Sequence, residues 1–182
     1  MAYNTLHYFS YFYIFITIFI FLSSILYQTT AESDDKHDYN IITTLYWHDK
    51  VSPPNPTAIT ITNPKSTSKL SFGMVRMFDN PLTEGPDLLT SKEVGRAQGL
   101  YGDASLDGIR LIMMMNFVFT SGKYNGSSIT IMGSNPILDE VREMSVLGGT
   151  GLFRSARGYA QARTHTFNST SEDAVVKYDI FM

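Results

Sequence analysis

From Tyr39 to the C-terminus this chain alternates apolar and polar side chains with a two-residue period, and no helical period is sustained anywhere in that span. On an extended backbone, residues two apart share a face. Ile41, Thr43, Leu45, Trp47 and Asp49 therefore lie on one side of a first strand, with Ile42, Thr44, Tyr46 and His48 on the other. The run Ser52-Pro53-Pro54-Asn55-Pro56 cannot continue a ladder and marks a turn. Thr57 to Thr62 alternates again until Asn63-Pro64, and Ser71 to Phe78 makes a third run, closed by Asp79-Asn80-Pro81 and the Gly85-Pro86 turn. Val94 to Tyr101 carries two glycines, which predicts a kinked or bulged strand. Ile109 to Thr120 is long enough for a helix, but its β-branched and aromatic residues and the turn Ser121 to Gly126 favour a hairpin with Ser127 to Met132. Arg157 to Phe167 and Ala174 to Met182 form a last pair. Roughly seven or eight short strands separated by turns mean an all-β sandwich or closed barrel, and the glycine-bearing strands favour the barrel.

The N-terminal segment is of a different kind. Residues 1–31 contain no Lys, Arg, Asp or Glu, are apolar and aromatic from Phe9 to Leu26, and end in Thr29-Thr30-Ala31. An apolar core followed by small residues reads as a signal peptide cut before Glu32, with an uncleaved anchor as the alternative. Residues 32–38 form an acidic, flexible segment, and 39–182 the folded domain. The net charge of −3 is too balanced to point to nucleic acid or an anionic membrane. The absence of cysteine excludes disulfides, thiol nucleophiles and Cys-based zinc sites, so an extracellular form must be held by its core or by oligomerisation.

Few residues advertise chemistry. GxSxG, HExxH and P-loop signatures are absent, and Gly148-Gly149-Thr150-Gly151 reads as a tight turn between strands rather than a phosphate cradle. His37, His48 and His165 lack metal-ligand spacing, and no cofactor is implied. Asp49 shares its face with Leu45 and Trp47. Inside an apolar lumen it would be a desolvated proton donor; otherwise it caps the proline turn. Arg142, with Glu140 and Glu143 nearby, reads as a solvated surface ion pair. Met113 and Met115 are core, or line a pocket for a flat ligand. Asn125-Gly-Ser127 and Asn168-Ser-Thr170 are N-glycosylation sequons.

The strings YWHDKVSPPNPTA, FDNPLTEGP, VGRAQGLYGDAS, MNFVFTSGKYNGSSITIMG, VREMSVLGGTGLFRSARGYAQARTHTF and DAVVKYDIFM, in this order over nearly the whole of 39–182, resemble the plant dirigent family, and within it the legume pterocarpan-synthase-type members. The resemblance implies an eight-stranded antiparallel barrel of the dirigent and allene-oxide-cyclase type, commonly trimeric, with one pocket per barrel. It also implies a secreted, apoplastic location, no cofactor, and no nucleic-acid or lasting membrane partner. It assigns pocket roles to Asp49, Tyr101, Arg142 and Thr164, with Trp47, Met113, Met115 and Asn135 lining the substrate. Asn135 departs from lignan-forming members, which carry Asp seven residues before the pocket Arg. The function implied is stereocontrol of phenoxy-radical coupling or quinone-methide cyclisation, as an auxiliary protein served by a separate laccase or peroxidase. A hydro-lyase of the pterocarpan synthase type, dehydrating an isoflavan-4-ol, is the second reading. A non-catalytic phenolic- or glycan-binding defence protein is the third.

Overall fold

The computed structural model describes residues 14–24, 40–64 and 71–182. Residues 14–24 form a helix with every side chain exposed. No helix among the described residues is long and apolar enough to cross a membrane. The expected cleavage site at Ala31 and the acidic segment 32–38 lie outside the described residues.

The described residues of the domain form nine strands: β1 (Ile41–Asp49), β2 (Ala58–Thr62), β3 (Val75–Thr83), β4 (Glu93–Asp103), β5 (Leu111–Phe119), β6 (Ser128–Asn135), β7 (Arg142–Thr150), β8 (Gly158–Phe167) and β9 (Ala174–Phe181). All neighbours are antiparallel, in the order β1-β9-β8-β7-β6-β5-β4-β3-β2. Pairing of Tyr46 with Thr83 and of Trp47 with Leu82 joins β3 back to β1 and closes an eight-stranded barrel. The ninth strand, β2, is an appendix to the same seam. β3 pairs with β2 from Val75 to Phe78 and with β1 at Leu82 and Thr83, so β1 and β2 lie along β3 as one strand interrupted by residues 50–57.

That interruption explains why Pro81 does not end β3, as the sequence leads one to expect. Asp79 N–H donates to Thr57 O on the β2 side, and by two-residue alternation the Pro81 nitrogen faces the same side. There the ladder has a gap between β2 and β1, so the missing N–H leaves no acceptor unsatisfied. β4 runs against β5 without a register break, but its pairing with β3 shifts between Leu82 and Thr83, where Val94 is the extra residue of a bulge. A Cβ added at Gly99 would lie 2.1 Å from Met114 O, so the strands approach there as only glycine allows. The strand Arg142–Thr150 is a correction. Gly148 and Gly149 lie within it, opposite Thr130 and Ile129, and the turn comes only at Gly151–Phe153.

Alternate residues fill the barrel. Leu45 and Trp47 from β1, Phe78 and Leu82 from β3, Met113, Met115 and Phe117 from β5, Ile129 and Ile131 from β6, and Val176, Tyr178 and Ile180 from β9 are all buried. Because the strands are antiparallel, the C-terminal halves of β1, β4, β6 and β8 meet the N-terminal halves of β3, β5, β7 and β9 at one end of the barrel. The candidate chemistry gathers at that end.

Candidate functional site

Asp49 is the last residue of β1, on the inner face that Leu45 and Trp47 share, and only 7 % of its surface is accessible. Two more register steps from the Trp47–Leu82 pair bring it opposite Asn80 of β3. Asn80 Nδ2 donates to Asp49 Oδ1 at 3.0 Å, and Tyr101 Oη donates to Asp49 Oδ2 at 2.8 Å. Thr57 Oγ1 in turn donates to Asn80 Oδ1 at 2.5 Å, which fixes the amide's orientation. The Tyr101 side chain crosses to Asp49 in a region where inward neighbours on its own strand, Ala97 and Gly99, are small. Trp47, Phe78 and Tyr101 pack around the carboxyl, with Trp47–Phe78 and Phe78–Tyr101 centroids 5.4 and 5.6 Å apart. Burial raises the Asp49 pKa above the ordinary carboxylate range, against the opposing effect of the Tyr101 and Asn80 hydrogen bonds and of the Arg76 charge. Burial likewise pushes the Tyr101 phenol upward, and Asp49 adds to that shift.

The alternative role for Asp49, capping the proline turn, belongs to a different residue. Asp173, just before β9, accepts from Val51 N at 2.8 Å, Ser52 N at 3.0 Å and Ser52 Oγ at 2.6 Å. Arg142 is not a solvated ion pair either: it is buried at the start of β7, donating from Nε to Asn135 Oδ1 at 3.1 Å and from a terminal nitrogen to Asp139 O at 3.3 Å. Burial lowers its pKa, with Tyr178 and Asp139 acting in the other direction. Met113 and Met115 are fully interior, opposite Tyr101 and Gly99. Thr164 continues the inner face of Ala160 and Ala162, opposite Val176, but its residue is exposed at the open end of β8.

Two residues tie these groups together that the sequence did not single out. Tyr178, inward on β9 opposite Leu45 and Ala162, is completely buried and interacts electrostatically with both Arg142 and Asp49. Its alternation with Val176 and Ile180 was the available signal. Arg76 stands opposite Tyr101 and acts on the charge of Asp49. Tyr178 Oη and Trp47 Nε1 are buried polar atoms with no hydrogen-bond partner among the described residues. Orphaned donors of this kind are rare in folded interiors, and these two are free to meet an acceptor. No cluster of three or more His, Asp or Glu stands ready for a metal among the described residues. Two concavities, of about 800 and 440 Å³, are lined largely by outward-facing residues, such as Met77 and Met114 in the first and His48 and Val175 in the second; Asp49 borders the smaller one.

A family model for dirigent-like proteins matches residues 42–182, the whole barrel. The chain belongs to the dirigent family. It is 42% identical to dirigent protein 21 of Arabidopsis thaliana, over 93% of this chain and 97% of that one. It is 47% identical to pterocarpan synthase 1 of Glycine max, over 75% of each. The solved structure of the pterocarpan synthase dirigent protein GePTS1 superposes with a TM-score of 0.73 at 43% identity, covering 79% of this chain and 88% of that one. Within this dirigent fold, Asp49, Tyr101, Asn135 and Arg142 come from β1, β4, β6 and β7, and the barrel's antiparallel order brings them to a common end.

Proposed function

We propose that this dirigent protein fixes the stereochemistry of ring closure in a phenolic quinone methide of phenylpropanoid or isoflavonoid biosynthesis, with Asp49 as the proton donor. The observation that carries the reading is the buried Asp49 carboxyl, with its raised pKa, hydrogen-bonded to Tyr101 beside the orphaned Trp47 N–H and Tyr178 O–H. A flat phenol that exchanges places with part of this aromatic packing gives those two donors an acceptor and meets a carboxylic acid. Stereocontrol then needs only that one face be presented, a difference of a few kcal/mol in binding.

The chemistry balances without a redox partner when the methide arises by dehydration, as in the pterocarpan synthase reading. Asp49 gives its proton to the departing hydroxyl of an isoflavan-4-ol; the C–O bond breaks and water leaves. Electrons from a conjugated phenol, which gives up its proton, form the methide. A second hydroxyl of the same molecule then adds to the methide carbon and its proton restores the acid; the phenol oxygen regains from solvent water the proton it had passed there, and the net loss is one water. Arg142 and Tyr178 orient the phenolic oxygens as charge develops on them. Asn135 favours this one-substrate route, because it leaves the Arg142 end without the second carboxylate of lignan-forming members. Radical coupling, the other reading, requires a laccase or peroxidase to generate the radicals.

In the same proposal the protein is secreted to the apoplast and carries sugar at Asn125 and Asn168, both exposed in turns at opposite ends of the barrel. Its assembly is a homotrimer or dimer through the outer face where Ile59, Ile61, Met77, Met114 and Leu147 are exposed. The test is chiral chromatography of two assays, one with the isoflavan-4-ol alone and one with coniferyl alcohol plus an oxidase. Enantiomerically enriched, oxidase-independent product in the first supports the dehydrating route. Enrichment only in the second moves the protein to radical coupling. Racemic or background product in both leaves the non-catalytic binder.

A further inference from the structure

Arg76 lies on the inner face of β3, two residues before Phe78, with 16% of its side chain accessible. Its Nε donates to Thr60 Oγ1 at 3.2 Å, and a terminal nitrogen pairs with Glu172 of the β8–β9 turn. Tyr101 is its cross-strand partner on β4, and the Arg76 charge acts on the phenol. A guanidinium can only donate, and a phenol has one proton. With the Arg76 cation across the strand, Tyr101 keeps its lone pairs towards the positive charge and spends that proton on Asp49 Oδ2. The row Arg76–Tyr101–Asp49 therefore has one polarity, with a fixed cation at its head and the buried carboxyl at its tail.

Glu172 is the carboxylate paired with that cation. The turn that presents it is tightly built: Glu172 N–H donates to Asn168 O at 2.8 Å, Asn168 N–H to Asp173 O at 2.9 Å, and Glu172 itself has φ +60°. Asp173, the next residue, is anchored to Val51 and Ser52. A carboxylate held in this way competes with Asp49 for the same positive charge. Asp49 is faced by Arg76 from β3, Tyr101 from β4, Tyr178 from β9 and Asp173 from the β8–β9 turn, and Arg76 is the one cation among these.

We propose that Arg76 is a positioning residue of the site, holding Tyr101 as a donor to Asp49 and adjusting that carboxyl's acidity, and that Glu172 sets from the β8–β9 turn how much of the Arg76 charge reaches it. The proposal rests on Asp49 being the proton donor. Burial weakens Asp49 as a proton donor, and the Arg76 charge acts in the opposite direction together with the Tyr101 and Asn80 hydrogen bonds.

The test is the pH titration of the Asp49 carboxyl carbon by NMR in the intact barrel, which needs no substrate. In Arg76→Gln the midpoint rises by about one unit, as for loss of a neighbouring opposite charge. In Glu172→Gln it falls, because Arg76 is freed from its competitor, and the double variant behaves as Arg76→Gln. Arg76→Lys keeps the charge and holds the midpoint near wild type. The alkaline limb of the pH–rate profile moves with the midpoint in each case. An unmoved or lowered midpoint in Arg76→Gln, or a raised one in Glu172→Gln, overturns the proposal; should Arg76→Gln fail to fold, Glu172→Gln decides. If the titrations behave as stated while neither product assay shows enrichment, the charge relation stands and the proposed function fails.

Discussion

Asp49→Asn removes one proton and one buried charge while keeping the side chain's shape. An amide offers one acceptor and one donor where the carboxylate offers two acceptors. Tyr101 still finds its acceptor, and Asn80 must turn its amide so that its oxygen receives the new N–H. At worst one neutral hydrogen bond is lost, about 0.5–1.5 kcal/mol. Against that cost the variant no longer buries a carboxylate. Because burial raises the folded pKa of Asp49 above its unfolded value, wild-type stability is lost as pH rises from about 4 through the folded midpoint, and the variant is spared that loss. The melting-temperature difference, variant minus wild type, should therefore grow with pH across that window. The chemical step should behave in the opposite way. General acid catalysis contributes about 10²–10⁴-fold, or roughly 3–5 kcal/mol of barrier, so product formation from the isoflavan-4-ol should fall to near background in a folded protein. Scanning calorimetry from pH 4 to 8 and single-turnover chromatography measure the two effects. A variant within about twofold of wild-type rate, or a stability difference that is flat or falls with pH, would refute the buried-acid reasoning.

Gly99→Ala would place a Cβ 2.1 Å from Met114 O, and an overpacked backbone contact costs about 1–3 kcal/mol or more; the urea midpoint should drop accordingly. Asp173 is pushed up by burial but held down at about 2 by hydrogen bonds from Ser52 and Val51, so it stabilises the fold above its unfolded pKa and ceases to as pH falls through about 2. Acid unfolding of Asp173→Asn should begin from a lower plateau and lose the wild-type dependence on pH in that window. Asn135→Asp places a carboxylate 3.1 Å from Arg142 Nε and should raise enantiomeric excess in the oxidase-coupled assay; an unchanged excess would mean that the Arg142 end does not govern radical coupling.

The barrel was largely legible because period-two patterning and proline or glycine punctuation are local properties. Where the sequence misled, the cause was non-local. Pro81 reads as a stop, but β3 continues because the gap between β1 and β2, distant in sequence, faces its nitrogen. Arg142 to Thr150 does not read as a strand, since two glycines and a charged start weaken a pattern that only burial against β6 and β8 makes plain. Asp49 was read as a possible cap for the proline turn beside it in sequence, and the register of β1 against β9 hands that task to the distant Asp173. Arg76 and Tyr178 escaped notice because their importance lies in what stands across the strand: Tyr101 for one, and the space between Asp49 and Arg142 for the other.

Trp47 is the single tryptophan of the chain, and its indole N–H is buried without a partner among the described residues beside the site. Its proton resonance is therefore one resolved signal that reports from inside the barrel. Titration with the isoflavan-4-ol, or with the ring-closed product, should move that resonance downfield and saturate, as the orphaned donor finds a phenolic oxygen, and Asp49→Asn should leave the shift intact while abolishing turnover. Saturable binding that leaves the indole signal where it is would contradict a substrate held in the barrel interior against Asp49.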